Sequence, residues 1–203
     1  MTIAAVILAA GRSSRFEDGH KLLAEIDGAP IVRHVCTALA ASNVDEIILV
    51  TSDMNDAVVK AAGAGRWRAV ENPEARDGLS TSLRTGLENI SPKTDGILVA
   101  LADMPGIEPA LVNALISAFS AEEPAIVFPV AKDGRRGHPV IWPKSLFRAL
   151  ASMTGDRGGK TILTDHKNLW RPVPCENKGA FADIDTRADF EAFTANNQPT
   201  RRK

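Results

Sequence analysis

Two short runs constrain this chain more than anything else in it: residues 3–9, IAAVILA, and residues 96–102, GILVALA. Each is apolar from end to end, too short to cross a bilayer and too unbroken for a half-exposed strand. Strands of that kind are buried on both faces, which is the habit of parallel sheets covered by helices. The segments between them agree. From Pro30, PIVRHVCTALAAS places Ile31, Val35 and Leu39 on one helical stripe, with proline in the first turn. EIILVTS (46–52) predicts a further strand, NDAVVKAA (55–62) a short helix and RAVEN (68–72) another strand. A polar loop, NPEARDG (72–78), leads into a helix candidate, LSTSLRTGLENI. EPALVNALISAF (108–119) is amphipathic, while AIVFPV (125–130) and HPVIWP (138–143) are β-like. PKSLFRALASM, GGKTILTDH and LWRPVP follow, and a last helix is expected from Thr186, with Asp189 completing a capping box. Strands alternating with helices predict an α/β fold built on a mostly parallel sheet covered on both faces. No repeat or linker interrupts the pattern, so one domain is expected over 1–195, with 196–203 a frayed polar tail.

Composition serves mainly to exclude. Of 203 residues 44% are apolar, and a chain of this size buries enough surface to fold without a staple. Cys36 and Cys175 show no CxxC or Cys/His spacing, so neither a disulfide framework nor a zinc site is indicated, and a reduced, cytoplasmic setting is expected. No targeting or membrane segment is read. Net charge is −1, and without Arg201, Arg202 and Lys203 it falls to −4, which argues against a nucleic-acid surface.

In an open α/β sheet, ligands gather at the carboxyl ends of the strands. After the first strand come Leu8, Ala9, Ala10 and Gly11, then Arg12, Arg15 and Lys21. Small residues let a ligand approach the backbone, successive amides line an anion nest, and three cations stand within ten residues. That combination suits a polyphosphate, although a basic solvated loop would have the same composition. It is neither a GxGxxG nor a Walker A sequence. The run 96–102 leads directly into Asp103, a carboxylate that is costly at a buried strand end unless a cation or a helix N-terminus compensates it. Asp183 and Asp185 lie two apart, on one face of an extended segment. Two carboxylate sites and a basic turn form a coherent set for metal-assisted phosphoryl chemistry. No Ser-His-Asp spacing and no Gly-x-Ser-x-Gly are present; His34 sits near an apolar helical face and reads as structural.

The segment LAAGRSSRF followed by HKLL resembles the signature of the MobA/MocA-like nucleotidyltransferases, with residues 16–20 in place of the usual short Met-Gly segment. GLSTSLRTGL (78–87), LADMPGI (101–107), RRGHPVIWP (135–143), GDRGGKTIL (155–163) and DIDTRADF (183–190) continue the resemblance through the chain. It is greatest to the molybdenum cofactor cytidylyltransferases. The Ala-Ala-Gly turn resembles their form more than the Ala-Gly-Gly turn of the guanylyl enzymes, which favours CTP as donor.

The resemblance implies a three-layer α/β/α Rossmann-like domain. It implies that Leu8, Ala9, Ala10, Gly11, Arg12, Arg15 and Lys21 surround the triphosphate. Ser80, Ser82 and Arg84 would face the base and ribose. Asp103 would bind Mg²⁺, with Asp183 and Asp185 both contributing to the metal site and either one the direct ligand, while Arg136, Gly137 and His138 would lie on the acceptor side. His138 either contacts the acceptor or packs its loop. The implied reaction is attack of the terminal phosphate of molybdenum cofactor on the α-phosphorus of CTP, with release of pyrophosphate. The catalytic set would be Lys21, Arg15 and Asp103. Alternatives are GTP as donor, a sugar phosphate as acceptor, or a binding partner that hands cofactor to a molybdenum hydroxylase.

Overall fold

The computed structural model describes residues 1–11, 13–17, 19–53, 57–155 and 159–197. Among them the chain runs β1 (Ile3–Leu8), β2 (Glu25–Ile26), β3 (Ala29–Pro30), α1 (Ile31–Ala40), β4 (Glu46–Thr51), α2 (Ala57–Ala62), β5 (Arg68–Glu71) and α3 (Leu79–Glu88). It continues through β6 (Gly96–Leu101), α4 (Pro109–Ala118), β7 (Ile126–Val130), β8 (Val140–Pro143), α5 (Phe147–Ala151), α6 (Lys160–Asp165), β9 (Trp170–Pro174) and α7 (Arg187–Asn197). Seven strands form one sheet in the order β5-β4-β1-β6-β8-β7-β9. All are parallel except β8, which runs antiparallel to both β6 and β7. The two apolar runs are central neighbours, paired from Ile3 with Gly96 to Leu8 with Leu101.

Side chains alternate across a strand with period two, and this sheet divides them between two cores. Ile3, Ala5 and Ile7 join Ile47, Leu49 and Leu98 beneath α1 and α4. Ala4, Val6 and Leu8 join Ile48, Val50 and Ile97 on the other face, with Leu83 of α3, Leu150 of α5 and Leu163 of α6. Helices thus cover both faces, giving the expected three layers. Among the described residues no helix is long and apolar enough to cross a membrane.

Several local features depart from the sequence reading. Lys21–Leu23 is a short 3₁₀ turn, with the His20 side chain accepting from the Leu22 N–H at 3.3 Å. A two-residue hairpin follows, turning through Asp27 and Gly28, both at positive φ. That dipeptide is a strong hairpin signal and was legible in the sequence. β8 begins at Val140 rather than His138, after a cis His138-Pro139 peptide bond. PKSLFRALASM starts as a 3₁₀ turn at Lys144–Leu146 before α5. The expected start of the helix at 55–56 and most of the expected tail, 198–203, lie outside the described residues, and α7 extends to Asn197. Its cap is the one expected: Asp189 Oδ2 accepts from the Thr186 N–H at 2.8 Å, and the Asp189 N–H donates to Thr186 Oγ1 at 3.2 Å.

One segment bears directly on the site. Residues 177–185 cross the carboxyl edge of the sheet like a strap. The His138 N–H donates to the Ala180 carbonyl at 2.8 Å, and the Ile184 N–H to the Asp103 carbonyl at 3.0 Å. At Gly179 a side chain would collide with the Gly106 backbone, so glycine permits the strap to lie flat on the turn after β6.

Candidate active site

The cavity at this edge encloses about 310 Å³. Its wall includes Leu8, Ala9, Ala10 and Gly11 from the turn after β1, Lys21 and Leu22 from the 3₁₀ turn, and Leu101 and Asp103 after β6. Ala75, Arg76, Gly78, Leu79 and Ser82 close the α3 side. The volume lies within the range of small-molecule sites. The backbone N–H groups of Ala10 and Gly11 donate no hydrogen bond among the described residues, which leaves them open to an anion.

Charge is concentrated where the strap meets the turns after β1 and β6. Lys21 Nζ donates to Asp103 Oδ2 at 2.6 Å and to Asp185 Oδ1 at 2.8 Å. Arg15 donates to the other oxygen of Asp185, also at 2.8 Å. Lys21 and Asp103 retain only 11% and 17% side-chain exposure, so their charges interact in a poorly solvated setting, whereas Arg15 is 71% exposed. Burial lowers the Lys21 pKa, but Asp103 and Asp185 outweigh it and hold the ammonium above the ordinary lysine value. Formally the two cations and two carboxylates cancel. The longer segment after Arg15 still delivers both cations to Asp185. Phe16 is buried and meets Phe190 of α7 edge-on at 6.3 Å, pinning that loop to the helix that follows the strap.

A divalent cation would fit these residues. Asp103 Oδ1 is buried with no hydrogen-bond partner, an acceptor that hydrogen bonding alone leaves unsatisfied. No group of three His, Cys, Asp or Glu side chains stands close enough to ligate a metal among the described residues. Two carboxylates with ligand phosphate oxygens are the usual Mg²⁺ set, and Asp103 with Asp185 would supply the protein's part if such an ion bound here. Asp183, two residues earlier, is exposed and makes no ion pair among the described residues.

The remaining expected residues divide. Ser82 lines the cavity, and its hydroxyl accepts from Asn72 Nδ2 at 3.0 Å. Ser80 and Arg84 do not line it: the Ser80 N–H donates to the Gly155 carbonyl at 3.3 Å, and Arg84 pairs with Glu74 at 3.7 Å. The helix turns those two side chains away from the face that Ser82 presents. Arg12 lies outside the described residues, as do Asp156–Gly158 of the GDRGG block. Arg136 places its guanidinium over the Trp170 ring, 4.9 Å from the centroid, and the Gly137 N–H donates to the Pro129 carbonyl at 2.9 Å. None of Arg136, Gly137 and His138 lines the cavity. His138 stands beside the strap in the fields of Asp103 and Asp183. Its Nδ1 is buried without a partner, and burial lowers its pKa although the Val99 carbonyl and both carboxylates pull the other way.

The sequence reading missed the stretch 75–79. Its signal was present: a polar loop with a cation and a glycine, leading directly into a helix. The buried Asn72 fixes that loop, donating to Thr81 Oγ1 at 2.9 Å while its Oδ1 accepts from the Glu74 N–H at 3.0 Å. Gly78 at φ 108° then turns the chain into α3, leaving Leu79 37% exposed on the cavity wall. Arg76 also lines the wall and has no ion-pair partner among the described residues.

Comparison with known proteins identifies the family. The family model of the MobA-like NTP transferase domain matches residues 5–169. Nicotine blue oxidoreductase of Paenarthrobacter nicotinovorans is 27% identical over 91% of this chain and 92% of its own. A probable molybdenum cofactor guanylyltransferase of Natronomonas pharaonis is 26% identical over 92% and 94%. The crystal structure of Rv0371c from Mycobacterium tuberculosis H37Rv superposes with a TM-score of 0.82 at 25% identity, covering 96% of this chain and 98% of that one. A second structure of Rv0371c, with a TM-score of 0.77 at 24% identity over 96% and 99%, is a complex with manganese.

Proposed function

The chain belongs to the MobA-like NTP transferase domain family, and from that premise we propose that it transfers CMP from CTP to the terminal phosphate of molybdenum cofactor, with Mg²⁺ as its metal. The observation that carries this reading is that Lys21 and Asp103 line a nucleotide-sized cavity and are joined by ion pairs to Asp185 and, through it, to Arg15. The relative named a molybdenum cofactor guanylyltransferase supports the acceptor. The Ala9-Ala10-Gly11 turn supports CTP over GTP.

In this reading the triphosphate lies against the Ala10 and Gly11 amides, with Lys21 and Arg15 as its cations. Ser82, Leu79 and Arg76 face the nucleoside in place of the Ser80 and Arg84 implied by the resemblance. Asp103 and Asp185 hold the metal, and the manganese complex of the mycobacterial protein supports a divalent ion here. When bound, Mg²⁺ neutralises charge on the phosphates and polarises the attacked phosphoryl group. The acceptor approaches past His138 and the strap. Its phosphate has a second pKa of about 6 and is already nucleophilic at neutral pH, so no side chain need remove a proton. The protein's share of the catalysis is alignment and charge, supplied by groups fixed before the reaction begins.

The deciding experiment is pyrophosphate release with Mg²⁺ and each of the four NTPs, with and without molybdenum cofactor. Cofactor-dependent release with CTP alone is expected. Release with GTP would reassign the donor, and no release with any NTP would overturn the reading. The Paenarthrobacter relative is named an oxidoreductase, which prompts a second reading in which the cavity takes a redox cofactor, with a nicotinamide dinucleotide as the probe. Tight NAD(P)H binding with no NTP binding would favour it.

A further inference from the structure

Lys21 Nζ sits between Asp103 Oδ2 and Asp185 Oδ1 at 2.6 and 2.8 Å. A divalent ion ligated by the same two oxygens would stand about 2.0–2.6 Å from each, inside the volume that the ammonium fills. The two cations therefore exclude one another at these oxygens. Arg15 does not relieve the conflict, because it takes only the outer oxygen of Asp185. Asp103 Oδ1, buried and unpartnered, shows that the ammonium satisfies just part of the carboxylate. Lysine is suited to an exchange of this kind: its charge is a point on a flexible four-carbon stem, free of the fixed fork that holds an arginine.

We infer that Lys21 and the divalent metal compete for Asp103 and Asp185, and that the nucleotide triphosphate resolves the competition by taking Lys21. The inference rests on the nucleotide-donor reading given above. Metal alone must displace an ammonium from two carboxylates. Metal arriving with a triphosphate leaves that ammonium a new anionic partner, while the phosphate oxygens complete the metal's shell. Metal and donor thus bind with positive cooperativity, and each raises the affinity of the other by the same factor. Lys21 would accordingly oppose metal binding before the donor arrives and support donor binding afterwards.

The test uses Mn²⁺ alone, titrated into the full chain without nucleotide while free Mn²⁺ is followed by electron paramagnetic resonance. Lys21→Met keeps most of the stem and removes the charge. It should bind Mn²⁺ about tenfold more tightly than the wild type, within the usual range of site coupling. Binding as weak as the wild type's, or weaker, would overturn the inference. Thermal unfolding guards against a misfolded variant. Lys21→Met should melt lower than the wild type in EDTA, since Asp103 loses its cation and Asp185 keeps only Arg15, and Mn²⁺ should raise its Tm by more degrees than it raises the wild type's. Equal rises would also overturn the inference. The donor reading fails separately, if the wild type binds no NTP in the presence of Mg²⁺.

Discussion

Asp103 has two oxygens in unlike surroundings: Oδ2 accepts from Lys21 at 2.6 Å, while Oδ1 is buried and partnerless. Asn at this position keeps the shape and one acceptor oxygen for Lys21 but loses the charge, so Asp103→Asn should fold and lose pyrophosphate release by about a hundredfold or more. Wild-type turnover in that variant would remove the metal role. Truncation to Ala is a harsher change, because it strips a partly buried ammonium of a partner. His138 offers a pH signature. Burial holds its imidazole below the ordinary 6.5, so the unfolded chain takes up this proton first as pH falls. The stability involved is fully present above the ordinary value and is lost as pH drops through the window below it. The wild-type Tm should fall between about pH 7 and pH 5 more steeply than that of His138→Asn; equal slopes would show that another group is responsible.

Among the elements, the strap of residues 177–185 does most to assemble the site. It has little regular structure, yet it brings Asp185 to Lys21 and bonds both to His138, ahead of β8, and to the turn after β6. Its seat depends on Gly179, where an added Cβ would meet backbone that cannot rotate away. Gly179→Ala should lift the strap, costing about 1–3 kcal/mol as overpacking does, and weakening turnover through Asp185 without touching the β1 turn. Urea unfolding and pyrophosphate release together check this: lower stability with unchanged turnover would mean that the strap does not position the carboxylate. The missed loop 75–79 owes its place to the same kind of contact, since Asn72 ties it to Thr81 and Ser82. No local pattern of hydrophobicity announces either arrangement.

For the whole molecule, a ligand that binds only the folded chain stabilises it by mass action. At about a hundred times its Kd, CTP with Mg²⁺ should contribute about 2.7 kcal/mol, or about 5–10 °C in Tm for a chain of this length. EDTA should remove most of that shift; a shift of equal size without metal would remove Asp103 and Asp185 as metal ligands. The architecture behind this was largely legible. IAAVILA and GILVALA, apolar on both faces, belong in central strands of a sheet that helical stripes cover on both sides. The basic turn after β1 and Asp103 were legible too, because strand ends locate ligand sites in such sheets. The rest awaited the tertiary structure. That β8 inserts antiparallel between β6 and β7, that Asp185 rather than Asp183 reaches Lys21, and that Arg76 and Leu79 line the cavity while Ser80 and Arg84 do not, all depend on segments distant in sequence meeting in space. Periodicity records which face of an element is buried, whereas contacts between separate elements leave no mark in either segment alone.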